Sequence, residues 1–388
     1  MSARVFTPRR FLLVGCLAAL LACGCVTAFT TCMKVSIHKG KPFPIAQSVA
    51  GHGWGFVSHP DLSRYSDSSL FLNFTVAGDG GGRATPEDVA GLAPALSLDG
   101  GDTWILGMNS VSSVAPDVAF ANAYTLVDGK RTMRYGGAPL LSGSFPLAWF
   151  EDGRLVDGPR EVPCELPPSK AGFYFNPNGV VLPNGHLMLP ASGVLGSDPK
   201  SRVITVVSTN KGDDWSYFST VAESRHAPWG SEGPCEPALM LLPSGELLCV
   251  MRTGMAQYDE TGVNFSHKML LARSKDGGVT WTHERMHIPG VMPKLLRMSN
   301  GLLVLAFGRP GNNLIFSADE GRSWGREVAL SPADVKTSGY VGVVEVDTNR
   351  LFAVYDVFNM DTRGIWLWEP KTVNGVFGVF LDVRRRGP

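Results

Sequence analysis

Several things are scarce in this sequence, and each shortage closes a route. There is no charge excess: 35 Lys and Arg stand against 35 Asp and Glu, so the formal net charge is zero. No global positive field is available to hold nucleic acid, and any anion must be gripped by a few local arginines. Cysteine is sparse, seven in 388 residues, with no C-x-x-C pair, and the eight histidines form no cluster. A structural zinc site is therefore not expected. Cys235 and Cys249 could pair in an oxidising compartment or serve as small core residues. Long hydrophobic runs are missing too. The best candidate, residues 11–21, is too short to span a bilayer comfortably.

That short run has the flanks of an export leader. Arg4, Arg9 and Arg10 precede it, and Leu20-Leu21-Ala22-Cys23 ends it in the manner of a bacterial lipobox. Residues 1–25 are expected to be a lipoprotein-type signal peptide and tether, lipidated on Cys23. An uncleaved anchor and ordinary secretion are the alternatives. The chain would then be exported, touching a bacterial membrane only through its lipid.

What is plentiful is glycine, 45 residues, together with 27 prolines. That composition suits many short strands joined by tight turns. A repeat confirms the direction. Ser97-Leu-Asp-Gly-Gly-Asp-Thr-Trp104, Ser208-Thr-Asn-Lys-Gly-Asp-Asp-Trp215, Ser274-Lys-Asp-Gly-Gly-Val-Thr-Trp281 and Ser317-Ala-Asp-Glu-Gly-Arg-Ser-Trp324 share one frame. Its Asp (Asn210 in the second copy) can hold backbone amides of its own turn, its Gly can take a positive φ, and its Trp can pack beneath the strands. These aspartates staple turns and are not catalysts.

Strand–turn–strand patterns precede the frames, around Pro183-Asn184-Gly185, Pro243-Ser244-Gly245 and Ser299-Asn300-Gly301, with a looser one around Ser66-Asp67. The most informative runs from Ser231 to Gly254. An apolar strand returns on itself through Pro243-Ser244-Gly245, so Glu236 at its start and Arg252 at its end should meet at one end of the hairpin. Opposite charges placed there form either an edge ion pair or part of a site.

The four frames are Asp-boxes, and the chain resembles the sialidase (neuraminidase) superfamily. The resemblance implies an all-β fold, a six-bladed β-propeller with four Asp-boxes, occupying residues 26–388. Extra strands are expected at residues 123–133 and 145–155. A final box-less blade is expected from residues 339–355 and 364–369, closed by an N-terminal strand around residues 35–49. The resemblance further implies a retaining exo-glycosidase that removes terminal sialic acid or a related acidic sugar from glycans, acting as a monomer without cofactor or metal. Alternatives are the same scaffold acting on another sugar, or a glycan-binding propeller without catalysis.

The family's site parts carry over one at a time. Tyr340 resembles the nucleophilic tyrosine and Glu236 its base. Arg252 and Arg309 resemble the second and third arginines that hold the substrate carboxylate. Asp356 stands where the family has a glutamate orienting the first arginine. That first arginine is lacking: Ser58-His59-Pro60 stands at the family's Arg-Ile-Pro, leaving His59, Arg64 or Arg83 as substitutes. The acid/base should come from residues 75–94, with Asp88 nearest in spacing and Asp79 and Glu87 as competitors. Trp54, Phe56, Phe175 and Trp229 are candidate sugar platforms, or else packing between blades, and residues 225–232 a candidate rim.

Overall fold

The computed structural model describes residues 35–47, 56–77, 91–120, 124–136, 143–254, 257–258, 264–265, 267–357 and 374–385. Among these, the strands form six four-stranded antiparallel units, two of them (II and III below) joined at one edge by a short parallel pairing at Cys164 and Trp215, with a separate two-stranded ribbon of Gln257–Tyr258 and Asn264–Phe265. Blade I is Phe56–Arg64, Leu70–Ala77, Ala95–Ser97 and Ile105–Leu106; blade II is Thr125–Asp128, Arg131–Tyr135, Ser144–Glu151 and Arg154–Glu165. Blade III starts with Ser169–Phe175, extended by the short Val180–Val181, and continues through Leu187–Leu195, Arg202–Ser208 and Trp215–Ala222. Blade IV is Cys235–Leu241, Leu247–Arg252, Lys268–Ser274 and Thr282–Pro289; blade V is Val291–Arg297, Leu303–Gly308, Asn312–Ser317 and Gly325–Ser331. Blade VI is Gly342–Asp347, Arg350–Val357 and Gly375–Arg385, completed by Val35–Lys39 from the N-terminal side. Phe43–Gln47 also pairs with Gly375–Arg385, so the ring is fastened by joining the two ends of the described chain.

Two details differ from the sequence expectation. The segment 364–369, expected as a strand of blade VI, lies outside the described residues, and the third strand of that blade is Gly375–Arg385. Tyr340 stands just ahead of the inner strand, which begins at Gly342.

The hydrophobic cores lie between blades, because a twisted sheet buries its apolar faces against its neighbours. One core joins blades II and III, another III and IV, another IV and V, another V and VI, and another VI and I. Between I and II the filler is the helix Met108–Val114 with Val111 and Ala115, together with a fully buried cation, Arg134. Its guanidinium donates to Ser63 Oγ and the Arg64 carbonyl and lies over the Tyr65 and Phe150 rings, which replace its lost hydration.

The four repeated frames fold alike. In each, the Ser hydroxyl donates to the Asp or Asn and accepts the Gly N–H: Ser97, Ser208, Ser274 and Ser317 with Gly101, Gly212, Gly278 and Gly321 at 2.8 Å. The same Asp or Asn then takes the amide of residue 103, 214, 280 or 323. These polar groups satisfy one another on the rim, away from the ring's centre.

Candidate functional site

The centre is built by one residue in or next to the first strand of each blade. In blades I, IV and V that strand carries a bulge, at Ser58/Asp61, Cys235/Ala238 and Val291/Lys294. Inside each bulge sits a non-glycine residue with positive φ, followed by proline: His59 (53°), Glu236 (46°) and Met292 (46°). Proline keeps its predecessor out of the right-handed helical region, and the bulge turns the side chain out of the pleat's alternation. Left-handed backbone costs about 1–3 kcal/mol at such residues and persists only where the surrounding fold enforces it. Blade II contributes Tyr124, blade III Asn176 and blade VI Tyr340.

Tyr124, Asn176, Glu236, Met292 and Tyr340 line one cavity of about 520 Å³, with Arg252 beside them. Glu236 accepts from Arg252 Nη1 at 2.9 Å and from the Met292 N–H at 3.0 Å. Arg252 Nη2 holds Glu232 at 2.7 Å. The hairpin thus brings Glu236 and Arg252 together, and adds Glu232, which the sequence offered only as part of a rim. Burial raises the Glu236 carboxyl above its ordinary value, with the Arg252 charge and the Met292 amide opposing. Burial, then the Glu236 charge, pushes the Tyr340 phenol upward, so it is neutral in the resting protein. Among the described residues no hydrogen bond joins the Tyr340 hydroxyl to Glu236; the two share the cavity and act on one another through charge.

Behind Tyr340 stand His59, Arg309 and Asp356. The His59 ring meets Tyr340 edge-on, centroids 4.9 Å apart, and its Nδ1 is 2.6 Å from Ser58 Oγ. Burial lowers the His59 pKa against the pull of Asp356, and the Arg309 charge lowers it further. Asp356 is wholly buried; it accepts from Thr337 Oγ1, the Ser338 N–H and the His59 N–H. In place of orienting an arginine, it ties blade VI to the backbone of blade I. Arg309 Nε donates to the Thr337 carbonyl, and Arg309 is not part of the cavity wall. It is packed on Gly339: a Cβ there would lie 3.2 Å from Arg309 Cγ and 2.4 Å from Val291 Cγ2, and φ is 85°. Only glycine lets Tyr340 follow so close a crossing.

Other expected residues fall elsewhere. Arg64 lies five residues along its strand from His59, about 17 Å, and is spent on the carbonyls of Asp67 and Glu345. It does not belong to the centre. Phe175 is buried between blades II and III against Tyr135 and Phe145, and Trp229 lies under Arg285 with its indole N–H on the Lys268 carbonyl, so both pack blades together. Cys164, Cys235 and Cys249 are free and buried. Cys235 lines the cavity, its thiol pushed up to about 12 by burial. Asp79, Arg83, Glu87, Asp88, Cys23 and Trp54 lie outside the described residues, as does the Phe56 side chain. Among the described residues no group of three or more His, Cys, Asp or Glu side chains is placed to hold a metal ion.

A family model described as the BNR repeat-like domain matches residues 151–363, more than half of the chain. The chain belongs to the BNR repeat-like family. No curated protein sequence matches it. Among solved structures, a protein of unknown function from Dyadobacter fermentans is similar at a TM-score of 0.61 and 19% identity, over 90% of this chain and 99% of that one. The Hadza microbial sialidase Hz136 is similar at 0.54 and 16%, over 87% and 68%. An alpha-L-arabinanase from Penicillium chrysogenum, solved with arabinobiose, is similar at 0.55 and 13%, over 89% and 98%. At these identities the likeness shows a shared fold, in agreement with the sialidase-like propeller that the Asp-box frames implied.

Sequence reasoning missed Tyr124, Asn176 and Met292 in the centre of this BNR repeat-like ring. For two of them a signal existed: His59-Pro60, Asn176-Pro177, Glu236-Pro237 and Met292-Pro293 repeat one X-Pro step at the same place in four inner strands. Tyr124, with no following proline, carries no comparable mark.

Proposed function

We propose that the protein is a retaining exo-glycosidase of the sialidase type, removing a terminal sialic acid or related acidic sugar from glycans. The observation carrying this reading is that Tyr340 of blade VI lines one cavity with Glu236 and Arg252 of blade IV. In the proposed reaction the Tyr340 oxygen bonds to the anomeric carbon as its proton passes to Glu236. The bond to the leaving oxygen breaks, and that oxygen takes a proton from an acid of residues 75–94, Asp88 being the first choice over Asp79 and Glu87. Water then displaces the tyrosine, with configuration retained overall. A phenol suits this role because a carboxylate nucleophile would meet like-charge repulsion beside a sugar acid. The raised Glu236 supplies a stronger base than an ordinary carboxylate.

A second reading, the same chemistry on a sugar without a carboxylate, is favoured by the anion-binding parts. Ser58-His59 replaces an arginine, both terminal nitrogens of Arg252 already hold glutamates, and Arg309 stands off the cavity wall. A panel of fluorogenic glycosides separates the two. Release from an α-sialoside supports the first and release from neutral glycosides alone the second. Tyr340→Phe and Glu236→Gln should each cut kcat by roughly 10²–10⁴-fold. Binding of glycans with no turnover on any glycoside would sink both and leave a glycan-binding propeller. The leader reading belongs to this proposal: labelling with a radioactive fatty acid should mark the wild-type protein and not Cys23→Ser.

A further inference from the structure

The cavity does not end at the catalytic pair. It runs outward as a trench between blades III and IV, and its inner wall follows from strand alternation. On the first strand of blade III, Phe173 and Phe175 turn into the core, so Tyr174 faces the other way, in line with Asn176 of the central ring. Its register partner on the next strand is Ser192. Tyr174 is two positions before Asn176, a step of about 7 Å along extended backbone away from the central residue. That is roughly one sugar farther out.

Two unexplained side chains meet at this outer end. Tyr174 is 49% exposed, and among the described residues its ring touches no other ring and its hydroxyl makes no hydrogen bond. Half-exposed tyrosines are common, but this one forms part of a cavity wall. Lys200 lines the same cavity, its ammonium fixed by the Gly230 carbonyl at 2.6 Å, with no carboxylate partner among the described residues. A lysine ammonium carries three donors, so one spent on a carbonyl leaves others for a ligand. Ser201, its neighbour, also lines the wall. A flat aromatic face sharing one cavity with fixed donors suits a sugar ring, apolar on its face and polar at its edge.

We propose that this outer end is a second-sugar subsite, with Tyr174 stacking on the sugar next to the one whose bond is cleaved and Lys200 donating to its hydroxyl or acidic edge. The inference rests on the glycosidase reading and names its substrate class: an oligosaccharide of at least two units, whichever terminal sugar is removed.

The test compares an aryl glycoside of the released sugar with a glycan of two or more units ending in it. The wild-type protein should favour the longer substrate in kcat/KM. Tyr174→Ala should reduce that preference roughly three- to ten-fold, the size of one aromatic contact, through KM and not kcat. Tyr174→Phe should restore it, and Lys200→Met should lower it again. Cleavage of both substrates with a preference that Tyr174→Ala and Lys200→Met leave in place would overturn the subsite while sparing the glycosidase reading. If neither is cleaved, that reading fails instead. Saturation-transfer NMR with the longer glycan then decides the subsite: signals on the second sugar that vanish in Tyr174→Ala support it, and their absence in the wild-type protein overturns it.

Discussion

Arg252→Met tests the electrostatics of the centre most directly. The guanidinium lies between Glu232 and Glu236, at 2.7 and 2.9 Å, and the three side chains are only 16–27% exposed. Charge centres about 4 Å apart attract by about 4 kcal/mol at an effective dielectric near 20. Losing that attraction lifts the Glu236 carboxyl further above its ordinary value, since the Arg252 charge is the main influence holding it down. Glu232, no longer neutralised, pushes the same way. A carboxyl whose folded pKa exceeds its unfolded value stabilises the fold when protonated, and that contribution is lost as pH rises from 4.5 through the folded value. Arg252→Met should therefore cost about 3 kcal/mol at pH 7.5, within the usual range for breaking a buried pair, and recover much of this at pH 5. Urea unfolding at the two pH values measures it, and carbon NMR of the Glu236 carboxyl reads the titration without substrate. Equal losses at both pH values, with an unmoved Glu236 titration, would refute the reasoning.

Three further outcomes follow from the same geometry. In the wild-type protein the acidic limb of kcat/KM should lie above the ordinary glutamate value of 4.5, because Glu236 is raised and must be ionised to act as base; a limb at or below 4.5 would exclude it from that role. Asp356→Asn turns one acceptor oxygen into a donor facing the His59 N–H or the Thr337 and Ser338 donors, and should cost about 2–3 kcal/mol in urea unfolding. A loss below about 0.5 kcal/mol would contradict the tie between blades I and VI. Ser274→Ala removes the hydroxyl that accepts the Gly278 amide and should cost about 1 kcal/mol without altering turnover, since the turn is on the rim; a changed KM would argue against a purely structural staple.

How much of this could be read beforehand depended on whether the signal was local. The Asp-box turns were legible because the bonds that staple each one, Ser to Asp or Asn and both to amides of the turn, close within eight residues of chain. Glu236 and Arg252 were legible because one hairpin with an obvious turn joins them. Arg64 misled because sequence proximity to Ser58-His59 conceals the length of an extended strand. Asp356 was expected to orient an arginine; its partners in the structure, the Thr337 hydroxyl and the Ser338 and His59 amides, come from loop and strand backbone that the sequence does not flag. Met292 and Asn176 reach the centre through backbone geometry, and neither residue type announces chemistry. The third strand of blade VI was missed at residues 375–385 although its alternation, Val376, Phe377, Val379 and Leu381 among glycines, reads as strand.

The pairing of Val35–Lys39 with Gly375–Arg385 sets the order of events during biogenesis. A ribosome makes Val35–Lys39 well before Gly375–Arg385, so the early strand stays unmatched until that later stretch is made. Until the late strand arrives, Val35 and Val383 have no shared core to enter and the circle stays open. Fusing the two ends and cutting at Pro243-Ser244-Gly245 would transfer the seam to blade IV, and with it the moment at which the molecule can first lock.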